Sequence, residues 1–165
     1  MKRVLGALSI GAAAAIALAG DAGKTSPGWE KLKTLVGEWN GVAAEYPGRA
    51  KLTYRLVSNG SSLEETMETP ETTMITMYAP DNPNGRIVAT HYCGSGNQPR
   101  MAAKDVSGSS LDFQFLDATN VSAPDADLMR ALEVRFQDAD HFQQLWTSRE
   151  GGKDHVGTFS WVRKR

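Results

Sequence analysis

The densest chemistry in the chain lies between Thr90 and Met101. His91 and Cys93 stand two residues apart on a strand-like segment, which sends both side chains to one face, close enough to approach one substituent of a ligand. Asn97, Gln98 and Arg100 follow in a Gly-rich bend that ends in Pro99. The amides offer donors and acceptors, and the guanidinium offers a fork for a carboxylate or phosphate. Such a group would form a polar rim over an apolar cavity. The same residues can equally serve their own loop, with Asn97 and Gln98 holding the turn backbone, Arg100 pairing with a surface acid and Cys93 filling space.

Glu65 adds a carboxylate to this picture. It shares a face with Leu63 and Met67, whereas Glu64, Thr66 and Glu68 take the other, so an inward apolar face carries the acid with it. A buried acid must find a partner, and Arg100 is a candidate; the alternative is a strand end at the mouth, where Glu65 reaches water. Met74, Thr76 and Tyr78, and later Phe142, Gln144 and Trp146, likewise mix polar with aromatic groups, a lining suited to a partly polar small molecule. The expected ligand-binding set is therefore Glu65, Tyr78, His91, Cys93, Asn97, Gln98, Arg100 and Trp146. No metal or other cofactor is expected. A metal needs three or four ligands, His91 and Cys93 supply two, and nothing fixes a convergence of His141 and His155 upon them. A Cys/His nucleophile pair would need an oriented third group, and Asp154-His155 comes with no nucleophile-elbow motif, so no catalytic residue is assigned.

The elements that position these residues are legible from punctuation and alternation. Trp29, Leu32, Leu35 and Val36 recur at helical spacing, predicting a short amphipathic helix over 28–36 that plugs one end of the fold. Nine turn signals follow, at Pro47-Gly48, Asn59-Gly60, Pro70, Asp81 to Gly85, Gly94 to Pro99, Ser107 to Ser109, Asn120 to Asp127, Asp138 to Asp140 and Gly151-Gly152. They separate ten strand-length segments. Leu52, Tyr54 and Leu56 oppose Lys51, Thr53 and Arg55; Leu111, Phe113 and Phe115 oppose Asp112 and Gln114; Leu132, Val134 and Phe136 oppose Glu133 and Arg135. Short strands joined in sequence form an antiparallel meander, and a long meander avoids exposed edges by closing. The prediction is an all-β, closed up-and-down barrel of about ten strands, with a β-sandwich as the alternative. Trp39, on the first strand after Leu35-Val36-Gly37-Glu38, and Arg163, on a last strand over 157–163, are suited to meet where the sheet closes, the guanidinium lying over the indole.

Gly37-Glu38-Trp39 with Arg163 resembles the lipocalin and fatty-acid-binding (calycin) superfamily, in which a G-x-W and a late Arg play that sealing role. The run Thr90-His91-Tyr92-Cys93, Gly96-Asn97-Gln98-Pro99-Arg100-Met101, then Asp117-Ala118-Thr119-Asn120, Asp140-His141, Trp146 and Gly152-Lys153, resembles a group of secreted bacterial proteins with a lipocalin-like fold and no assigned activity. The resemblance implies fold and compartment and supplies no substrate. The chain departs from that pattern in a longer Asp81 to Gly85 turn and in Thr72 and Leu128, where histidines often stand, which weakens a histidine-rich metal or haem reading.

Lys2 and Arg3, the apolar run from Val4 to Leu18 and the Ala17-Leu18-Ala19 site predict a secretory signal peptide over 1–19, then a flexible leader over 20–27 and a barrel domain over 28–165. Gly20, not Cys, follows the cleavage site, so a lipid-modified N-terminus is not expected. Removing the first 19 of 165 residues leaves 146, enough for one core. Losing Lys2 and Arg3 takes 18 basic residues to 16 against 19 acidic, a balance that argues against nucleic acid and anionic membranes as partners. With Cys93 alone, no intrachain disulfide can form. The function classes that remain are a periplasmic or secreted carrier of a small amphipathic ligand, a small enzyme or nitrobindin-like haem barrel, and a filled barrel serving as an interaction module.

Overall fold

The turn signals at Asn59-Gly60, Pro70, Asp81 to Gly85, Gly94 to Pro99, Asp138 to Asp140 and Gly151-Gly152 fall at strand connections in the computed structural model of the protein, which describes residues 26–43, 49–104, 109–123 and 126–165, and at 42, 43 and 49 the backbone alone. The expected signal segment over 1–19, most of the expected leader, the Pro47-Gly48 turn, Ser107 and Gly108, and Pro124 and Asp125 lie outside the described residues. The chain runs α1 (Pro27–Lys33), β1 (Gly37–Ala43), β2 (Arg49–Val57), β3 (Ser62–Glu68), β4 (Thr73–Asp81), β5 (Arg86–Tyr92), β6 (Gln98–Ala103), β7 (Ser110–Thr119), β8 (Leu128–Phe136), β9 (His141–Glu150) and β10 (Lys153–Arg163). Each strand pairs antiparallel with its sequence neighbours, and β10 pairs with β1 to close the barrel. The sandwich alternative is thereby excluded.

Helix α1 is shorter than its pattern predicted. Ser26 caps it, its hydroxyl accepting from the Trp29 backbone N–H at 3.2 Å, and Pro27 occupies its first turn, where a missing N–H costs nothing. Seven residues cannot hold a helix alone, so its stability comes from Trp29 and Leu32, buried against the barrel end with Leu35 just beyond. The expected seal is present. The Arg163 guanidinium lies 4.0 Å over the Trp39 ring and donates to Thr34 O, Val36 O and Ala139 O at 2.8, 3.0 and 3.0 Å, while Trp39 Nε1 donates to Leu35 O at 2.8 Å. The two ends of the described chain meet there. Beyond Arg163, the Lys164 backbone N–H donates to Glu38 O at 2.8 Å and Arg165 reaches Asp140 at 3.1 Å.

Gly41 lets the sheet close. It opposes Trp161 across the β1–β10 seam, and a Cβ there would stand 2.5 Å from the Trp161 ring and 2.6 Å from Ser160 O, so only glycine admits this approach.

Inward side chains follow the predicted alternation, with Leu52, Tyr54, Leu111, Phe113, Leu132 and Val134 buried. Leu56 departs from it at 44% exposed, and Phe115 is only half-buried. Because successive strands run oppositely, one barrel end carries α1 and the turns at 58–61, 82–85 and 137–140; the other carries those at 69–72, 93–97 and 151–152. The first end is sealed, and the site lies at the second.

Candidate functional site

Halfway down the barrel a polar row crosses four strands. Tyr54 on β2 opposes Glu65 on β3, Glu65 opposes Thr76 on β4, and Thr76 opposes His91 on β5, all pointing inward. Strict alternation placed each of them on the inner face, and the register placed them side by side. Glu65 is the hub, 1% exposed. Its Oε2 accepts from the Tyr54 hydroxyl, from Tyr78 Oη at 2.8 Å and from Gln144 Nε2 at 2.8 Å, and its Oε1 accepts from Thr76 Oγ1 at 3.2 Å. Gln144 comes from the opposite wall on β9; its Oε1 accepts from Trp161 Nε1 at 3.0 Å, so the row is anchored across the lumen.

Burial pushes the Glu65 carboxyl above its ordinary value, against the four hydrogen bonds, which favour the carboxylate. Burial, then the nearby carboxylate, holds Tyr54 well above the usual phenol range; the same two causes act on Tyr78, and both remain donors. His91 ends the row, its Nδ1 3.0 Å from Thr76 Oγ1. Burial lowers it to about 4, so its imidazole is neutral at ordinary pH.

Above this row, toward the unsealed end, lies a cavity of about 630 Å³, within the range of about 300–1,000 Å³ that holds small ligands. Met67, Met74, Met129, Trp146 and Phe159 give it an apolar wall, His91 and Cys93 stand on one side, and Glu71, Glu150 and His155 are acidic or titratable members of its lining. The His91 and Trp146 rings pack at 4.7 Å between centroids. His91 Nε2 and Trp146 Nε1 are both buried and, among the described residues, without a hydrogen-bond partner. An unsatisfied buried polar atom costs roughly 1–3 kcal/mol, so two of them behind the lining of one cavity need an explanation.

The structure divides the expected ligand-binding residues into three places. His91, Cys93 and Trp146 line the cavity. Glu65 and Tyr78 lie deeper, in the polar row, and Glu65 is partnered by Tyr54, Tyr78, Gln144 and Thr76 instead of Arg100. Asn97, Gln98 and Arg100 are outside the cavity lining and serve the loop. Asn97 Nδ2 donates to Asp127 O at 3.0 Å; Gln98 donates to Gly96 O at 2.7 Å and accepts from Thr119 Oγ1 at 2.7 Å. Arg100 is exposed on the outer face and forms a bidentate pair with Asp117, Nε to Oδ1 at 2.6 Å. The reason is phase: β6 starts at Gln98, so Pro99 and Met101 face inward and Arg100 faces out.

Sequence reasoning missed Tyr54 as a polar member of the interior, and Met67, Met129 and Phe159 as cavity wall. Inward phase was the available signal for Tyr54 and Met67. Phe159 shares its face of the last strand with Trp161 and Arg163, which marked it as inward, but not its height at the cavity, which depends on how high β10 rises. Among the described residues no group of three or more His, Cys, Asp or Glu is arranged to hold a metal ion. Cys93 accepts from Ser95 Oγ at 3.1 Å, and no hydrogen bond joins it to His91 among the described residues.

No family model matches the chain, and no curated protein does. Among solved structures, the chain is similar to a protein with unknown function from the DUF3598 family of Nostoc punctiforme, 15% identical with a TM-score of 0.55, over 81% of this chain and 49% of that one. The chain thus spans about half the length of that protein, and the likeness is one of fold.

Proposed function

We propose that the protein is a binding protein for a small amphipathic molecule, held in the cavity at the unsealed end of the barrel and deployed outside the cytoplasm. The observation that carries this reading is the cavity itself: about 630 Å³, walled by methionine and aromatic side chains, with two unpaired polar atoms behind its lining. A site with a few placed polar groups in an apolar wall is the ordinary composition of a small-molecule pocket. Met67, Met74 and Met129 are adaptable fillers that suit a flexible apolar body. Export rests on the basic start, the apolar run and Ala17-Leu18-Ala19, and the Gly-Glu-Trp and Arg163 pair supports a lipocalin-like character. Nucleic acid is not among the proposed partners, and neither is stable membrane insertion after cleavage; no described helix is long and apolar enough to cross a membrane.

Native mass spectrometry of protein purified without denaturation from the periplasm of its own host tests the reading. A co-purified organic mass, with a chain beginning at Gly20, supports it. A haem Soret band would replace it with a haem-binding reading, with His91 as the first axial ligand to mutate. Protein that carries no ligand and takes up no apolar probe would overturn it in favour of an interaction module.

A further inference from the structure

Beyond the binding reading above, and without need of an organic occupant, we infer that Met67, Met74 and Cys93 form a site for one soft monovalent metal ion of the Cu(I) and Ag(I) class. It lies on the wall that β3, β4 and β5 give the cavity. Register supplies the geometry. Met67 opposes Met74 across the β3–β4 pair, on the same inward face as the Glu65 and Thr76 pair and one step nearer the mouth. The β4–β5 pair brings Thr76 level with His91 and Ile75 level with Tyr92, and one further step brings Met74 level with Cys93. The two chains stay together past that point, since a Cβ on Gly94 would stand 3.1 Å from Thr72 Cγ2. A second inward row, Met67, Met74 and Cys93, thus lies directly above the polar row, and all three of its members line the cavity.

Level residues on adjacent antiparallel strands have Cα atoms about 4.5–5.5 Å apart. Two sulfurs that share a metal ion, each about 2.3 Å from it, stand about 4–4.6 Å from one another. The row therefore sets its sulfur-bearing side chains at the spacing a shared ion requires, and the flexible methionines take up the remainder. Met74 and Cys93 are half-buried, which leaves an ion a path from the cavity, and Met67, 2% exposed, closes the row on the β3 side. Ser95 Oγ donates to Cys93 Sγ at 3.1 Å, a bond the sulfur keeps when it exchanges its proton for a metal. Two thioethers and one thiolate select a soft ion; zinc, magnesium and calcium want more thiolates, imidazoles or carboxylates, and among the described residues no group of three His, Cys, Asp or Glu is arranged for them. Glu71 and Glu150 belong to the lining and, among the described residues, no Lys or Arg does, so an entering cation meets no opposing charge. The thiol proton leaves to solvent on binding, and a monovalent ion on one thiolate makes a neutral site, which suits an apolar wall.

The probe is silver nitrate in chloride-free buffer at neutral pH, added to the protein isotope-labelled at its methionine methyls. One equivalent is expected to shift the methyl signals of Met67 and Met74, while those of Met77, on the outer face of β4, and Met101, buried on β6 outside the cavity lining, stay in place. Met74→Leu, which nearly conserves volume and keeps Cys93, is expected to bind silver about tenfold or more weakly, because loss of a mere supporting partner of a ligand already costs about that much. Unmoved Met67 and Met74 signals would overturn the inference and leave a thiol that takes silver by itself. So would a Met74→Leu protein that binds silver as tightly as the wild type. Zinc nitrate binding as tightly as silver would overturn the assignment to soft ions. The wild-type spectra decide the matter should the variant not fold. None of these outcomes touches the binding reading, which falls only if no organic mass and no apolar probe is held.

Discussion

Acid should destabilise this barrel through His91 before it reaches the carboxylates. The imidazole is 2% exposed, and burial lowers it from 6.5 to about 4. The unfolded chain takes the proton as pH falls through 6.5, while the native state resists until about 4, so the stability associated with a neutral His91 is complete above 6.5 and is lost on the way down. At about 1.36 kcal/mol per pH unit the full loss is about 3.4 kcal/mol, of which about 2 kcal/mol is gone by pH 5. That is a large share of the 5–15 kcal/mol typical of a domain, so about 2 kcal/mol is readily measured. Urea unfolding, followed by tryptophan fluorescence at pH 7.5 and 5.0, should show the wild type losing about 2 kcal/mol more than His91→Asn, whose amide can replace Nδ1 toward Thr76. Comparing each protein with itself removes the cost of the substitution. Equal losses in the two proteins would refute the argument and place a proton acceptor near His91 that the geometry lacks.

Glu65 should act with the opposite sign. Burial raises it, so its favourable contribution is present below 4.5 and is lost as pH rises through the native value; Glu65→Gln should therefore gain on the wild type as pH increases, which melting curves across that interval will register. Gly41→Ala should destabilise by about 1–3 kcal/mol, because a Cβ meets both the Trp161 ring and a backbone oxygen; denaturant midpoints at constant m-value check it. Arg100→Ala should leave melting temperature nearly unchanged and uptake of an apolar probe intact, since the side chain is an exposed partner of Asp117 on the outer wall; weakened probe binding would return Arg100 to the site.

The strand count, order and closure were readable because turns and alternation are local, and because Trp39 and Arg163 mark where the first and last strands must meet. Register was not local. The row from Tyr54 to His91 exists because residues on four strands fall level with one another, and Gln144 completes it from 90 positions beyond Tyr54. Alternation tells which face a side chain takes but not its height in the barrel, which is why Glu65 was recognised as inward yet given the wrong partner. Arg100 failed for a different reason. Reading Pro99 as the end of a bend hid the two-residue phase that Met101 imposes, and one residue of phase moves a guanidinium from lumen to outer wall. His91 and Trp146 face inward and line the cavity because both sit in strands whose inward phase is fixed by apolar neighbours.

The meeting of α1 with the last residues at the sealed end also dictates orientation. Pro27 and Arg165 leave the barrel from the same side, opposite the cavity mouth. A surface, a bead or a fused domain attached through either of them would hold the barrel upside down, with its mouth turned toward the surrounding fluid and its sealed face toward the support. Protein immobilised through Pro27 or Arg165 should therefore exchange small molecules as freely as dissolved protein.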